Sequence, residues 1–259
     1  MADILNIALP GLNNYTMQEA LKVIRTNIEF CGRDIKVIAL TSFGENEGKT
    51  TVSAHLARSF SQLGKKALLI DADMRKSVFS GRNTDSTSNV GLSEVLSGIK
   101  SFDECVRETN NPGFYVLQSG KYPPNPVELL SSEYFSELIH YARENYDIVI
   151  IDTPPIGYTI DSAVISVECD GIVLVVGNQN LRRRQAKEMV DQISKSNVRI
   201  LGFIRNFISG QNKRYYNYYY KKSNRYTYGY GSGGYGYGYG YGHKNTQKNG
   251  LSATKTNKK

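Results

Sequence analysis

The stretch that decides the fold is Val37-Ile38-Ala39-Leu40-Thr41-Ser42-Phe43-Gly44-Glu45-Asn46-Glu47-Gly48-Lys49-Thr50-Thr51. It begins as an apolar run typical of a buried strand, and the residues after it, Val52, Leu56, Phe60 and Leu63, recur at helical spacing. A loop between a strand and a helix that ends in Gly-Lys-Thr is typical of a phosphate-binding loop. A chance Gly-Lys-Thr at a helix start would lack the strand before it and the amphipathic helix after it.

Each position of this loop has an expected role. Backbone N–H groups and the helix N-terminus should face the phosphates of a nucleotide. Lys49 should reach the β- and γ-phosphates, the Thr50 hydroxyl should ligate Mg²⁺, and Gly48 should allow close backbone approach. Phe43 occupies the position of the first glycine of the strict pattern, and Gly44 lies one place later. Asn46 stands at a position where the backbone would favour a glycine, although Asn tolerates left-handed dihedrals. The loop residues predicted to bind nucleotide are Gly44, Glu45, Asn46, Glu47, Gly48, Lys49, Thr50 and Thr51.

Short apolar runs alternate with helical patterns along the rest of the domain. Near-continuous apolar strands alternating with helices predict a mainly parallel sheet that is covered on both faces. One helical pattern is formed by Tyr134, Leu138, Ile139 and Ala142. We therefore predict an α/β fold, a P-loop NTPase with a mainly parallel sheet flanked by helices. The later strand runs are Ala67–Ile70, Tyr115–Leu117, Ile148–Ile151, Ile172–Val176 and Ile200–Ile204.

Acidic side chains end two of these runs. Asp71 and Asp73 follow one strand, and Asp152 follows another. Because ligands of open α/β sheets bind at the carboxyl edge of the strands, these three acids should converge on the phosphate loop. One such acid alone would more simply cap a turn, but three acids beside a triphosphate favour Mg²⁺ binding and proton transfer. If a tyrosine hydroxyl, whose pKa is about 10, were to attack phosphorus at neutral pH, it would need a proton acceptor. Asp71 is the first choice for this acceptor, with Asp73 as alternative or helper.

The chain is predicted to have three parts. Residues 1–34 form an N-terminal helical segment, in which the capping-box pattern Thr16-Met17-Gln18-Glu19 should begin a helix that runs to about Phe30. Residues 35–210 form the P-loop domain. Residues 211–259 form a tail that is rich in tyrosine and glycine and too poor in aliphatic groups to build a core, so we predict that it is disordered.

The tail carries the positive charge. From residue 211 onward there are ten Lys or Arg and no Asp or Glu, whereas the first 210 residues hold 22 basic and 24 acidic side chains. Such a tail could meet nucleic acid, anionic lipid or phosphate, or be a solvated extension. Twelve of the 19 tyrosines of the chain lie in it, at Tyr215, Tyr216, Tyr218, Tyr219, Tyr220, Tyr226, Tyr228, Tyr230, Tyr235, Tyr237, Tyr239 and Tyr241.

Composition indicates a cytoplasmic protein. The apolar runs are too short to cross a bilayer, and the N-terminus has no basic region followed by a long apolar stretch. The three cysteines, Cys31, Cys105 and Cys169, are odd in number and widely separated, which suits a reducing compartment and a packing role.

Together these motifs resemble the bacterial tyrosine kinases of capsular and exopolysaccharide synthesis. That family carries a Walker A loop, a second Asp-x-Asp-x-Arg motif termed A′, here from Asp71 to Arg75, and a Walker B strand that ends here at Asp152. More specific are the segment from Ser119 to Leu130, which resembles the family signature Gly-x-x-Pro-Pro-Asn-Pro-x-Glu-Leu-Leu, and the segment from Gly91 to Gly98. With the tyrosine-rich C-terminus, the resemblance covers most of the chain.

The resemblance implies an ATP- and Mg²⁺-dependent protein-tyrosine kinase that phosphorylates its own tail tyrosines. It assigns catalysis to Lys49, Asp71, Asp73 and Asp152, and Mg²⁺ binding to Thr50, Asp71 and Asp152. Asn206 matches the place where related ATPases read the base, although a plain turn residue explains it as well. The family loop commonly has Pro-Gly where this chain has Glu45-Asn46, which places an acid near the phosphates.

The resemblance also implies partners. The tail of one copy should enter the active site of a neighbouring copy in a homo-oligomeric ring, supported by a motif that includes Glu19, Lys22 and Arg25. Lys22 replaces an arginine of the family pattern and removes a bidentate fork. A membrane-anchored adaptor should recruit the chain to the inner face of the cell membrane, and a cognate phosphotyrosine phosphatase should reverse the modification. No stable nucleic-acid complex is expected.

Two other functions fit parts of the sequence. A partition or division-site switch ATPase shares the P-loop and Walker B, but those proteins usually carry a lysine early in the loop, where this chain has Gly44, and they need no tyrosine cluster. Nucleic-acid capture by the basic aromatic tail would show a steep salt dependence and would survive loss of Lys49.

Overall fold

The computed structural model describes residues 4–9, 11, 14–77, 90–177 and 183–208. These residues fall within a compact unit that spans Met1–Ser209. The predicted tail, 211–259, and its twelve tyrosines lie outside the described residues. The three-part division of the chain therefore stays a prediction.

A sheet forms the centre of the domain, and the part of the chain that the structure describes contributes seven strands to it, in the order β3-β4-β2-β5-β1-β6-β7. Every neighbouring pair is parallel except β3 and β4, so the predicted mainly parallel sheet is confirmed. The strands are β1 (Val37–Ser42), β2 (Ala67–Asp71), β3 (Val106–Glu108), β4 (Phe114–Leu117), β5 (Ile148–Asp152), β6 (Gly171–Val176) and β7 (Ile200–Arg205).

Helices cover both faces of this sheet. Along β1, Val37 and Ala39 belong to one apolar core, whereas Ile38 and Leu40 belong to the other, as strand alternation requires. The two cores explain why β1 and β5 are apolar at nearly every position. The helices are α1 (Tyr15–Cys31), α2 (Lys49–Ser61), α3 (Leu92–Leu96), α4 (Phe102–Cys105), α5 (Pro126–Leu130), α6 (Glu133–Asn145), α7 (Asp161–Ser166) and α8 (Arg183–Ser194).

Strand register brings the functional ends together. Asp152 of β5 pairs with Leu40 of β1 on one side and with Asp71 of β2 on the other. The phosphate loop follows β1, so the loop and both aspartates share the carboxyl edge of the sheet. The parallel sheet topology therefore places the predicted site residues at one edge, where α/β proteins bind their ligands.

The start of α1 differs from the prediction. The N-cap is Asn14, whose side-chain oxygen accepts a hydrogen bond from the Met17 backbone N–H at 3.3 Å, and Thr16 lies inside the helix. Asn14 caps as well as threonine does and stands earlier in the chain, so the helix begins there. The capping box at Thr16 is thus wrong, while the helix end at Cys31 is one residue from the prediction.

No helix in the described ranges is long and apolar enough to span a bilayer. Cys105 is buried in one of the cores, in agreement with a packing role, and Cys31 and Cys169 are also free thiols.

Candidate active site

The phosphate loop turns through two residues in the left-handed region. Asn46 has φ 59°, and Gly48 has φ 82° directly before helix α2 begins at Lys49. Asparagine adopts this conformation more readily than most residues, so it can replace a glycine in the loop. At Gly48 a side chain would be strained and would also clash with the Asn206 amide group. The predicted roles of Asn46 and Gly48 in loop shape therefore have a physical basis.

Glu47 fixes the loop from within. Its carboxylate accepts hydrogen bonds from the backbone N–H groups of Phe43, Gly44 and Gly177, although burial outweighs them and raises its pKa. Gly177 follows β6, so the side chain connects the ends of two adjacent strands. Its Oε2 is buried without a hydrogen-bond partner among the described residues.

Asn206 supports the loop from the last strand. Its Nδ2 donates to the Glu47 carbonyl oxygen at 3.0 Å, and its Oδ1 accepts from the Phe207 backbone N–H at 2.9 Å. Its own backbone N–H donates to the Val176 carbonyl oxygen at 2.8 Å. The predicted contact with a base stays a prediction, but the structure gives Asn206 a second reason to be asparagine, which the sequence did not reveal.

Lys49 is the cation at the centre of the site. Its Nζ lies 3.7 Å from Asp73 Oδ2 and 3.7 Å from Asp152 Oδ1, and its side chain is buried. One ammonium group thus lies between carboxylates from two strand ends. Three of the four predicted catalytic residues meet here.

Asp152 combines burial with a free acceptor. Ser53 Oγ donates to its Oδ1 at 3.3 Å, and the Thr50 hydroxyl donates to the same carboxylate, while its Oδ2 has no partner in the described part of the chain. Burial raises the pKa of Asp152, and Lys49 acts in the opposite direction.

These groups fit a Mg²⁺ ion. An uncompensated buried oxygen beside a threonine hydroxyl suits a hard cation that takes oxygen ligands and keeps several waters. The described residues contain no cluster of three His, Cys, Asp or Glu side chains arranged as a metal site, so phosphate and water would have to complete the coordination.

Asp71 is fully buried and lies opposite Asp152 in the strand register. Its Oδ1 accepts from the Asp73 backbone N–H at 3.2 Å, and its Oδ2 accepts from Ser77 Oγ at 2.5 Å. Burial, followed by repulsion from Asp152, raises the pKa of Asp71 to about 8. At neutral pH a carboxyl group with this pKa is mostly protonated, so a nearby cation such as Mg²⁺ would have to lower the pKa before Asp71 could accept a proton.

Asp73 faces the cleft on the same turn. Its Oδ1 accepts from the Lys76 backbone N–H at 3.1 Å, and its Oδ2 is the oxygen near Lys49. Burial raises its pKa, and the Lys49 charge opposes that shift. Asp71 and Asp73 thus occupy different surroundings although only Ala72 separates them.

A cleft of about 550 Å³ opens at this edge of the sheet. The predicted nucleotide-binding residues 44–51 and Asn206 all line it. Asp73, Arg75 and Lys76 line it from the turn after β2. The cleft is large enough for a nucleotide and has the loop at its wall.

Sequence reasoning missed Asp161. It is buried at the start of α7 and holds Arg75 of the A′ motif in a two-pronged ion pair, with Nε to Oδ2 at 2.8 Å and Nη2 to Oδ1 at 3.2 Å. Because Asp161 is buried, loss of Arg75 would leave its charge unpaired, whereas the Arg75 side chain is itself 36% exposed. The two lie 86 positions apart, and no local pattern connects them.

The two signature segments of the sequence lie against each other. The Leu92 and Ser93 backbone N–H groups donate to the Gln118 and Ser119 carbonyl oxygens at 2.7 and 3.1 Å. Glu94, a buried acid, accepts from the Gly91 backbone N–H at 2.8 Å, and a Cβ at Gly120 would collide with its carboxylate. This packing explains both glycines and the acid, and it forms the connection after β4.

The predicted subunit-interface residues lie on α1. Lys22 pairs with Glu19 at 2.7 Å on the surface, and Arg25 Nη1 donates to the Ser59 carbonyl oxygen at 2.7 Å and to Ser59 Oγ at 3.1 Å. Arg25 therefore also joins α1 to α2 within one chain. Its Nε is buried without a partner among the residues described. A role in a subunit interface stays a prediction.

Comparison with known proteins places this arrangement in a family. Residues 35–200 match the AAA domain family. The chain is 42% identical to the tyrosine-protein kinase CpsD of Streptococcus agalactiae over 201 residues, covering 78% of this chain and 88% of that protein. It is 40% identical to the tyrosine-protein kinase YwqD of Bacillus subtilis over 209 residues, covering 80% and 87%.

Solved structures agree. The kinase domain of Escherichia coli tyrosine kinase ETK superposes with a TM-score of 0.75 at 28% identity, covering 92% of this chain and 88% of that one. A more distant likeness, the septum site-determining protein MinD of Pyrococcus horikoshii complexed with Mg-ADP, has a TM-score of 0.58 at 23% identity and covers 69% and 72%. That likeness shows the shared fold alone.

Proposed function

The chain belongs to the bacterial tyrosine-protein kinases, and we propose that it transfers the γ-phosphoryl group of ATP to the tyrosines of its own C-terminal segment, between neighbouring copies. The observation that carries the proposal is the buried Lys49 ammonium group, 3.7 Å from both Asp73 and Asp152, at the start of a helix that follows a phosphate loop. A buried cation at a helix N-terminus suits the terminal phosphates of a nucleotide.

The loop residues bind the substrate. Backbone N–H groups of residues 44–51 and the N-terminus of α2 cradle the phosphates, and Lys49 offsets the charge that develops during transfer. Thr50 and Asp152, with Asp71 as the further carboxylate, would hold the Mg²⁺ ion, which neutralises phosphate charge. Asn206 lines the cleft where the adenine ring of the nucleotide would lie.

In the transfer step, a tyrosine hydroxyl oxygen forms a bond to the γ-phosphorus, and the bond from that phosphorus to the β–γ bridging oxygen breaks. ADP leaves, and the tyrosine proton passes to a carboxylate. Asp71 is the first choice for this base, and Asp73, which lines the cleft, is the alternative. Positioning and charge stabilisation supply most of the catalysis of such transfers.

The tail is the proposed substrate. Six of its twelve tyrosines lie in the glycine-rich stretch from Tyr228 to Tyr241, and the other six lie between Tyr215 and Tyr226, and we expect each to reach an active site in turn. Each phosphate adds roughly −1.5 to −2 charges, so about six modifications offset the ten basic residues of the tail. Phosphorylation would then turn a cationic tail, attracted to an acidic active site, into an anionic one that is expelled.

This charge change suggests how the kinase is used. Unmodified tails would hold copies together in a ring, and modified tails would release them. A membrane-anchored adaptor would recruit the kinase to the inner face of the membrane, and a phosphotyrosine phosphatase would reset it. The cycle would regulate capsular or exopolysaccharide synthesis and export.

The experiment that tests the proposal is incubation of the purified full chain with ATP and Mg²⁺, with and without membranes from its source, followed by mass spectrometry of phosphotyrosine. We expect phosphate on residues 215–241 in the wild type and none in a Lys49→Met variant. A Lys100→Met variant, which loses an exposed lysine in the connection between α3 and α4, is the matched control and should behave as the wild type.

Transfer between copies has its own readout. Isotopically heavy Lys49→Met chain is mixed with light wild type, and heavy phosphopeptides then report transfer from one copy to another. Phosphate on light peptides alone would contradict transfer between copies. ATP hydrolysis without phosphotyrosine would instead indicate a switch ATPase.

A further inference from the structure

An exposed ion pair crosses the mouth of the nucleotide cleft. Lys76 Nζ, on the turn after β2, lies 2.9 Å from Glu45 Oε2, on the phosphate loop. The two side chains are 69% and 49% exposed, and both residues line the cleft. Glu45 is the acid that stands where the family loop commonly has proline.

Lys76 differs from the other cations that line the described cleft. Lys49 lies between two buried carboxylates, and Arg75 is fixed by both oxygens of the buried Asp161. If either cation moved away, it would leave a buried carboxylate without its partner. Lys76 has an exposed partner, and exposed ion pairs contribute little to stability, so its ammonium group can change partner at low cost.

The charges around the cleft favour a change of partner by Lys76 when a nucleotide binds. Glu45 and Glu47 belong to the loop that would surround the phosphates, and Asp71, Asp73 and Asp152 adjoin it. A nucleotide triphosphate brings several more negative charges to this place. A terminal phosphate carries more charge than a carboxylate and offers more acceptor oxygens, so it attracts a nearby ammonium group more strongly.

We infer that Lys76 is a further phosphate-binding residue of the kinase reaction, and that Glu45 competes with the terminal phosphate of the nucleotide for its ammonium group. On nucleotide binding, Lys76 exchanges Glu45 for that phosphate and adds a second cation to Lys49. The inference rests on the proposed use of ATP, and it assigns to this chain a cation supplied by its own A′ turn.

The competition makes the two partners of one ion pair act in opposite directions. Loss of Lys76 removes a phosphate contact, whereas loss of the Glu45 charge removes the competitor and releases Lys76. A purely structural ion pair would instead respond in the same direction to the loss of either partner.

The test is direct binding of ATP and of ADP, each with Mg²⁺, to the full-length chain by isothermal titration calorimetry. The variants are Lys76→Met, Lys76→Arg and Glu45→Gln, and circular dichroism confirms their folding. The matched controls are Lys100→Met and Glu104→Gln, which break another exposed pair, at 2.7 Å with 43% and 51% exposure, that does not line the cleft.

We expect Lys76→Met to weaken ATP binding about tenfold and ADP binding less than about twofold, since a charge-assisted hydrogen bond to the last phosphate is lost. Glu45→Gln should strengthen ATP binding by about two- to threefold, Lys76→Arg should retain most of the affinity, and the controls should match the wild type.

Equal effects of Lys76→Met on ATP and ADP, or weaker ATP binding in both Lys76→Met and Glu45→Gln, would overturn the inference. Binding reports on Lys76 whether or not phosphate is transferred. A wild type that binds ATP but forms no phosphotyrosine would therefore contradict the proposed function while leaving the role of Lys76 decided by these affinities.

Discussion

The two ends of the central sheet use aspartate in opposite ways. At the amino end, Asp170 Oδ2 accepts from the Lys36 and Val37 backbone N–H groups, each at 2.8 Å, and its Oδ1 accepts from Arg143 at 2.7 Å. At the carboxyl end, Asp152 has one oxygen with no partner in the described ranges, and its pKa is raised by burial. Residue type is the same, but only one of the two carboxylates is satisfied.

The difference teaches how to separate structure from chemistry among acids that flank strands. A satisfied carboxylate stabilises the start of a strand, as Asp147 also does when it accepts from the Lys66 backbone N–H at 2.7 Å. An unsatisfied one that is buried beside like charges costs stability and is kept for a ligand. Substitutions at the two ends should therefore move different observables.

The largest effect should follow Asp152→Asn at the carboxyl end. Loss of this charge removes the proposed metal ligand and a partner of Lys49, so tail phosphorylation should fall by about 100-fold or more. Stability should change little, because relief of the repulsion with Asp71 offsets the loss of one partner of the buried Lys49, which keeps Asp73. Rate measurements with thermal unfolding of the same preparation check both parts. A marked loss of stability in this variant would break the comparison.

A smaller effect, on stability alone, should follow Asp170→Ala at the amino end. The change leaves two backbone N–H groups and the Arg143 guanidinium without their acceptor, and the free energy of unfolding should fall by about 2 kcal/mol. Urea unfolding measures this loss. The kinase rate per folded molecule should be unchanged, and a tenfold loss of rate would show that the two ends are not separable.

The smallest effect should follow Asp147→Ala. This exposed carboxylate accepts a backbone hydrogen bond from Lys66 across the strand starts, so its removal should cost about 0.5 kcal/mol. The same urea series, with Asp170→Ala beside it, ranks the two acids. A larger loss for Asp147→Ala than for Asp170→Ala would show that the number of accepted hydrogen bonds does not govern stability here.

The sequence predicted the elements that depend on local pattern. Six strands lie where the apolar runs indicated, because buried strands carry such runs whatever their neighbours are. Strand β3 was missed, since Val106–Glu108 is short and only partly buried. Leu63 lies beyond the end of α2 and is exposed, and Tyr134 is exposed while its neighbour Phe135 takes the buried place.

Within the site, chain continuity made part of the arrangement predictable. Lys49 follows the loop, and Asp71 and Asp152 end strands, so parallel topology alone brings them to one edge. Partners distant in sequence left no signal, which is why Asp161 and the support that Glu94 gives to the signature segment were not foreseen. The predicted roles of the tail tyrosines and of the subunit interface stay predictions.

The hydrogen bond from Asn206 to Glu47 joins positions 159 residues apart, and Gly48 leaves the space that the asparagine amide fills. During synthesis, this contact can therefore form only after the chain has emerged from the ribosome beyond its last described strand. The residues that follow are the tyrosine-rich segment itself. In translation, the contact from Asn206 to the phosphate loop thus becomes possible shortly before the proposed substrate tyrosines leave the ribosome.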